Sequence, residues 1–295
     1  MCNAPTDLKT INRYPMKAKL FACAALVSLM SCGNGESPEA RALFSEAESA
    51  YKSGDYTRST ELLDSLQKGF PAEVGIQREA LALRPKVIEQ LSLVKIAQVD
   101  SMTRIDESLM TDLKPQLKWV KAPEMIEGYW IDAKCYNPNF MNTTGIQARV
   151  SEIGQFYIVS SVNPSAIAHT SITVTLDKDA VTSAQVPYDG ESNYRIDGGE
   201  VVTFSPEQSD TIGAFVSNVI ASVKPTTANL TFNGAKGKKT VKLTLDQLRG
   251  IATAYRYSSA LIRARDNQVV RQRLEKTIEI AKRQAEQAEG ALKDK

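Results

Sequence analysis

Histidine is nearly missing from this 295-residue chain, which has one, and four cysteines and two tryptophans are all it holds of those types. A zinc site needs three or four His, Cys or carboxylate ligands in a fixed spacing, and no such cluster is present. Thiol-imidazole catalysis would have to come from Cys135 and His169, which sit in no nucleophile motif and read instead as a half-buried strand cysteine and a surface histidine. Glycine-rich phosphate loops, a nucleophile elbow and the HExxH pattern are all absent. Asp177 and Asp179 lack the rest of a calcium loop and are explained by a charged hairpin turn. We therefore expect no catalytic residue, no metal and no cofactor. Charge of one sign is missing too: 36 Lys and Arg face 34 Asp and Glu, which removes the basis for a nucleic-acid partner. The apolar run 20–30 is about eleven residues long, half of what a bilayer crossing needs.

What is there begins with that short run. Lys17 and Lys19 precede it, Leu29-Met30-Ser31-Cys32 ends it, and Gly33-Asn34-Gly35-Glu36-Ser37-Pro38 follows. This order of cationic, apolar and small-polar segments resembles the signal of bacterial lipoproteins. The resemblance implies that residues 1–31 are a cleaved signal peptide, with Met16 as its start, and that Cys32 carries a diacylglycerol on sulfur and an acyl chain on its new amino group. Residues 32–37 would then be a lipidated tether. One acyl chain gives marginal membrane binding, whereas two or three make it effectively permanent. Gly33 stands where an Asp would retain such a protein in the inner membrane, so the expected location is the outer membrane, on either its periplasmic or its surface face. Removing 1–31 takes away Lys9, Arg13, Lys17, Lys19 and Asp7 and leaves 32 basic against 33 acidic residues. Cys135 would be the one remaining thiol, so no intrachain disulfide is expected.

Beyond the tether the apolar period is helical. Segments 38–52 and 56–68 read as a helical hairpin interrupted at Ser53-Gly54-Asp55, followed by a short helix at 74–83. Ala47, Tyr51, Gly54-Asp55-Tyr56 and Pro71 stand at spacings that resemble one tetratricopeptide unit of about 34 residues, with Ser59 in a position usually held by alanine. Such a unit buries its apolar face only against a neighbour. We therefore assign 38–84 to tetratricopeptide-like helices and 85–125 to a long helix and linker. Pro85 is expected to start that helix, at 86–114, with Val87, Leu91, Val94, Gln98, Ser101, Ile105 and Leu109 as its seam. At the other end, Thr244-Leu245-Asp246-Gln247 forms a capping box that opens a helix over 244–295. Its seam runs through Ile251, Tyr255, Ser258 and Ile262, slips, and resumes at Leu274, Ile278, Ala281, Ala285, Ala288 and Leu292. A helix of about 45 residues is nearly 70 Å long. The economical arrangement is an antiparallel coil with 86–114, leaving length for a protein partner, a second copy or solvent.

Between the long helices, residues 126–243 switch to period two. Hairpins are expected at 145–160, across the turn Asp177-Lys178-Asp179, and across 233–237, with a helix opening at Ser205-Pro206. The expected fold class is α+β: a helical hairpin base and a long antiparallel helix pair, with an antiparallel-sheet module inserted between the helices.

Two surface candidates remain. Tyr129, Trp130, Tyr136 and Phe140, with Trp119 before them, are the densest aromatic stretch and offer rings for stacking on sugars; filling the sheet core is the competing use. Arg249, Arg256 and Arg263 recur every seven residues and offer a cationic stripe to lipid headgroups or anionic polymers, unless they pair with Asp100, Asp106, Glu107 and Asp112. The functional expectation is a lipid-anchored, non-catalytic envelope protein acting as a scaffold or protein-binding module. The alternative is a glycan- or small-ligand-binding lipoprotein using 129–140.

Overall fold

The computed structural model describes residues 36–123 and 125–293, and among these it has five α-helices and two antiparallel sheets. The fold class is α+β. The expected lipidation site, Cys32, and the signal segment lie outside the described residues.

Helix α1 (Pro38–Lys52) starts where Ser37 accepts the backbone N–H of Ala40 and proline occupies the first turn. Gly54, at φ 84°, turns the chain into α2 (Tyr56–Gly69), which Asp55 caps. These helices and the start of α3 (Val74–Leu113) bury Phe44, Ala47, Leu62, Leu66, Ile76 and Val87 in one small core. Ser59 fits there because its hydroxyl donates to the carbonyl of Ala47, 2.9 Å away, so the missing alanine is replaced without an unpaired buried group.

Two expectations about α3 are corrected. The helix does not break at Pro85 but runs through it for 40 residues, so the boundary drawn at 84/85 falls inside a helix. A proline within a helix costs about 3 kcal/mol. Here Leu83 and Val87 are both buried in the hairpin core on either side of the missing hydrogen bond, and that packing offsets the loss. The second correction concerns the seam. Pro85, Ser92, Val99, Asp106 and Leu113, spaced by seven, are the buried row of α3, whereas Val94, Gln98, Ser101 and Ile105 lie exposed.

The body follows. β1 (Leu117–Val120), inside the segment expected to be a linker, pairs with β2 (Tyr129–Asp132), and β3 (Gly145–Ser151) and β4 (Phe156–Val162) form the predicted hairpin. After β5 (His169–Leu176), β6 (Asp179–Thr182), β7 (Asn193–Ile196) and β8 (Gly199–Phe204) comes α4 (Pro206–Ser222), then β9 (Ala228–Gly234) and β10 (Gly237–Lys242). One sheet has the order β1-β2-β3-β4-β8-β7 and the other β10-β9-β5-β6. Inward residues of both sheets, among them Phe156, Phe204, Ile172 and Phe232, meet Ile212 and Val216 of α4 in a single core. Gly154, at φ 88°, ends the β3–β4 turn where a Cβ would strike Leu261.

Helix α5 (Leu245–Lys293) is opened by the capping box: Gln247 Oε1 accepts Thr244 N–H at 2.8 Å and Thr244 Oγ1 accepts Gln247 N–H at 3.2 Å. Its first turns close the body core through Leu248, Ile251 and Ala254. Further on it runs antiparallel to α3 as a two-helix stalk. Arg263 with Asp106, Arg271 with Asp100, Lys282 with Glu89 and Lys86 with Glu289 mark the register from body to tip. No helix among the described residues is long and apolar enough to cross a membrane.

Candidate functional site

The aromatic segment does not form one platform. Adjacent strand residues point to opposite faces, so Tyr129 and Trp130 look away from each other. Trp130 packs against Trp119 across the β1–β2 pair, at 4.9 Å between ring centroids, and Lys114 Nζ sits 3.0 Å over it while also reaching the Tyr257 hydroxyl at 3.3 Å. On the other side, Tyr129 is buried with the Arg149 guanidinium 4.0 Å over its ring. Lys118 lies 3.6 Å over Tyr136, and Phe140 is buried with Val159 and Val201. Tyr129, Trp130 and Tyr136 each therefore give a face to a cation of this chain, which a stacked sugar would need for itself.

Of the arginine stripe, Arg263 is committed: its guanidinium holds both oxygens of Asp106, whose own side chain is nearly buried. Arg249 touches Asp246 at 3.9 Å, and Arg256 is exposed. Cys135 lies in a turn after β2, its thiol donating to the Asp246 carbonyl at 3.4 Å. Burial, aided by Asp132 and Asp246, pushes that thiol up to about 12, so it stays protonated and is a poor nucleophile.

His169 is not at the surface, contrary to the expectation from its lone position, but fully buried at the start of β5. Its Nδ1 lies 2.6 Å from Glu200 Oε1 on β8 and its Nε2 lies 2.7 Å from Ser160 Oγ on β4. Glu200 also accepts the backbone N–H groups of Ile167, Ala168 and His169. Burial opposes its charge, but the bonds from the His169 ring and backbone outweigh that and hold its carboxyl below the usual range. An ionised carboxylate only accepts, so Nδ1 carries the ring proton and Nε2 accepts from the Ser160 hydroxyl. Burial, partly opposed by Glu200, keeps the imidazole below its ordinary range and thus neutral.

This Ser160–His169–Glu200 chain has the hydrogen-bond order of a hydrolytic triad. Its serine has no solvent exposure and also lies 3.3 Å from the Val202 carbonyl, so no substrate carbonyl can reach Oγ. What the arrangement does is join the two sheets. Gly234 lets the segment 167–168 press against β9, where a Cβ would meet the Ile167 carbonyl at 2.2 Å. Asn193 completes the joint by donating to the carbonyls of His169 and Val186. No sequence motif announces it, since its members come from three strands of two sheets; the one sign is Glu200, a lone charge beside the apolar Val201-Val202.

Comparison of the chain with protein-family models, with curated proteins and with solved structures finds no match. Function must be argued from the geometry.

The remaining candidate is the stalk. Its exterior carries Val94, Met102 and Ile105 from α3 and Val269, Val270 and Ile280 from α5, exposed by 41 to 67%. Met102 and Ile105 line an open groove of about 510 Å³ whose other wall is Arg263, Asp266 and Asn267. Three heptads toward the tip, a second groove of about 460 Å³ is lined by Leu81, Ile88, Gln284 and Gln287. Since α3 and α5 pair with heptad spacing and 102 and 105 stand 21 residues from 81 and 84, both grooves open on one side of the stalk.

Proposed function

We propose that this chain is a lipid-anchored, non-catalytic envelope protein that uses the α3–α5 stalk to hold a protein partner, with the anchor at Cys32 and the outer membrane as its site. The observation that carries the reading is the exposed apolar side of α3, made by Val94, Met102 and Ile105. Gln98 and Ser101 interrupt this side, and α5 packs on a different row of α3, one of Ser92, Val99 and Asp106. Unpaired apolar sides of this kind are what a further helix covers when a two-helix hairpin becomes a three- or four-helix bundle.

Two experiments test it. Replacing Cys32 by Ser moves the protein from the membrane fraction to the soluble fraction if the anchor is right, and leaves it where it was if not. Affinity capture from solubilised envelopes, paired with light scattering of the purified chain, retains a defined protein that an Ile105→Glu, Met102→Glu variant loses. A strictly monomeric chain that retains nothing contradicts the scaffold reading.

A further inference from the structure

The outer face of the four-stranded sheet carries a feature that neither the anchor nor the stalk uses. Thr240, Thr231, Thr173 and Thr182 stand in register across β10, β9, β5 and β6, one threonine per strand. Their hydroxyls pair at 2.9 Å between Thr231 and Thr240 and at 2.8 Å between Thr173 and Thr182. The neighbouring rows are Lys242, Asn229, Thr175 and Ala180 on one side and Lys238, Asn233 and Ser171 on the other. Asn233 donates to both Ser171 and Thr173. Strict alternation sends Leu230, Phe232, Ile172 and Val174 into the core, so the paired rows of this face hold short hydroxyls and amides, the small Ala180 and two lysines. The paired rows carry no carboxylate and no aromatic ring; Asp177, just past the end of β5, accepts the backbone N–H groups of Thr226 and Thr227. Lys238 and Lys242 are exposed and form no ion pair among the described residues.

We infer that this face binds an acidic polysaccharide. Strands about 4.8 Å apart, with same-face residues about 6.7 Å apart along each, present hydroxyls as a flat lattice. Such a lattice matches a hydroxyl-rich extended chain better than a compact ligand. Lys238 and Lys242, about 13 Å apart along β10, supply the charge that selects an acidic chain over a neutral one. A lipid surface is a poorer fit because Ala180, the one apolar side chain in these rows, is too short to insert, and single-stranded nucleic acid because no ring is there to stack on a base. Lysines on an edge strand also discourage strand pairing between molecules, but that role makes no demand on Thr173 and Thr182 at the far side of the sheet. The inference is independent of the stalk reading and of the 129–140 aromatics.

The test is a titration of the full chain with polygalacturonate, with neutral dextran, and with anionic phosphatidylglycerol vesicles. Polygalacturonate binds, dextran does not, and binding weakens about tenfold or more in a Lys238→Gln, Lys242→Gln variant and at ~0.5 M salt. A Thr173→Val, Thr231→Val variant loses binding while keeping its thermal midpoint near that of the parent, Thr→Ser at both positions restores it, and Trp130→Ala leaves it unchanged. No binding of polygalacturonate, equal binding of dextran, vesicle binding with the same lysine dependence in its place, or indifference to the threonine variants overturns the inference.

Discussion

The stalk and the body solve the same problem, burial of apolar surface, in opposite ways. In the body, the largest of the fully buried side chains are Phe156, Phe204 and Phe232, and the buried polar groups Ser160, His169, Asn193 and Glu200 are all hydrogen-bonded. In the stalk, the buried row of α3 includes Ser92 and Asp106, the matching stretch of α5 offers Ala260 and Ala281, and bulkier Met102, Ile105 and Ile280 are left outside. Small residues let two helices approach closely, but a two-helix seam is narrow and shields little area. We therefore expect stability to be concentrated in the body, the stalk's exposed ion pairs marking its register and adding little. The difference teaches that a two-helix seam leaves Met102, Ile105 and Ile280 uncovered among the described residues, whereas the layered body core covers Phe156, Phe204 and Phe232.

The comparison can be sharpened by substitution, starting in the body. Phe204→Ala should cost about 3–5 kcal/mol of global stability in urea unfolding, as truncation of a fully buried phenylalanine does. The same truncation logic applied to Ile105 in the stalk, two-thirds exposed, should leave the midpoint almost unmoved. Equal losses at the two sites would erase the distinction.

Glu200→Gln is the next largest. The amide puts donors where the His169 ring and three backbone N–H groups already donate, and unpaired buried donors should lower stability by about 2–4 kcal/mol. A change of less than ~1 kcal/mol would show that the joint between the sheets contributes little.

pH separates the regions further. His169 is the one histidine in the chain, and burial, against the pull of Glu200, lowers its folded value. As pH falls through the ordinary imidazole range near 6.5, the unfolded chain takes up a proton that the folded body refuses, so stability falls with pH and levels off once the folded histidine also protonates. Glu200, also lowered on folding, adds a second loss when pH falls below the ordinary carboxylate range. Urea midpoints from pH 7.5 downward should show the first loss in the parent and not in His169→Gln. The smallest effect is expected for Arg271→Gln in the stalk, below ~1 kcal/mol and vanishing in high salt, since Arg271 and Asp100 are both well exposed.

How far the sequence foretold these regions follows from the range of the interactions involved. The hairpins around 151–155, 177–178 and 235–236 were legible because period-two alternation and turn residues are local, as were the capped starts at Ser205 and Thr244. The antiparallel pairing of the long helices was legible from their lengths, and Leu274, Ile278, Ala281 and Ala285 do line its distal part. Ile262, expected to end the first stretch of seam, is 39% exposed, and heptad spacing instead continues through Leu261, Ala264 and Asn267, two of them too small or polar to mark it. Pro85 misleads at the level of sequence because its cost is local while its compensation comes from another helix. The α3 seam was misassigned because periodicity identifies an apolar face without saying which neighbour covers it. Ser160, His169 and Glu200 could not be joined from sequence at all, since only the packing of two sheets brings them together.

In-cell photo-crosslinking with reactive residues at Ile105 and, as an internal control, at buried Ala260 tests the central claim most directly. A single protein captured at Ile105 and nothing captured at Ala260 is the predicted result; silence at Ile105 in intact envelopes, with the protein present, would contradict it.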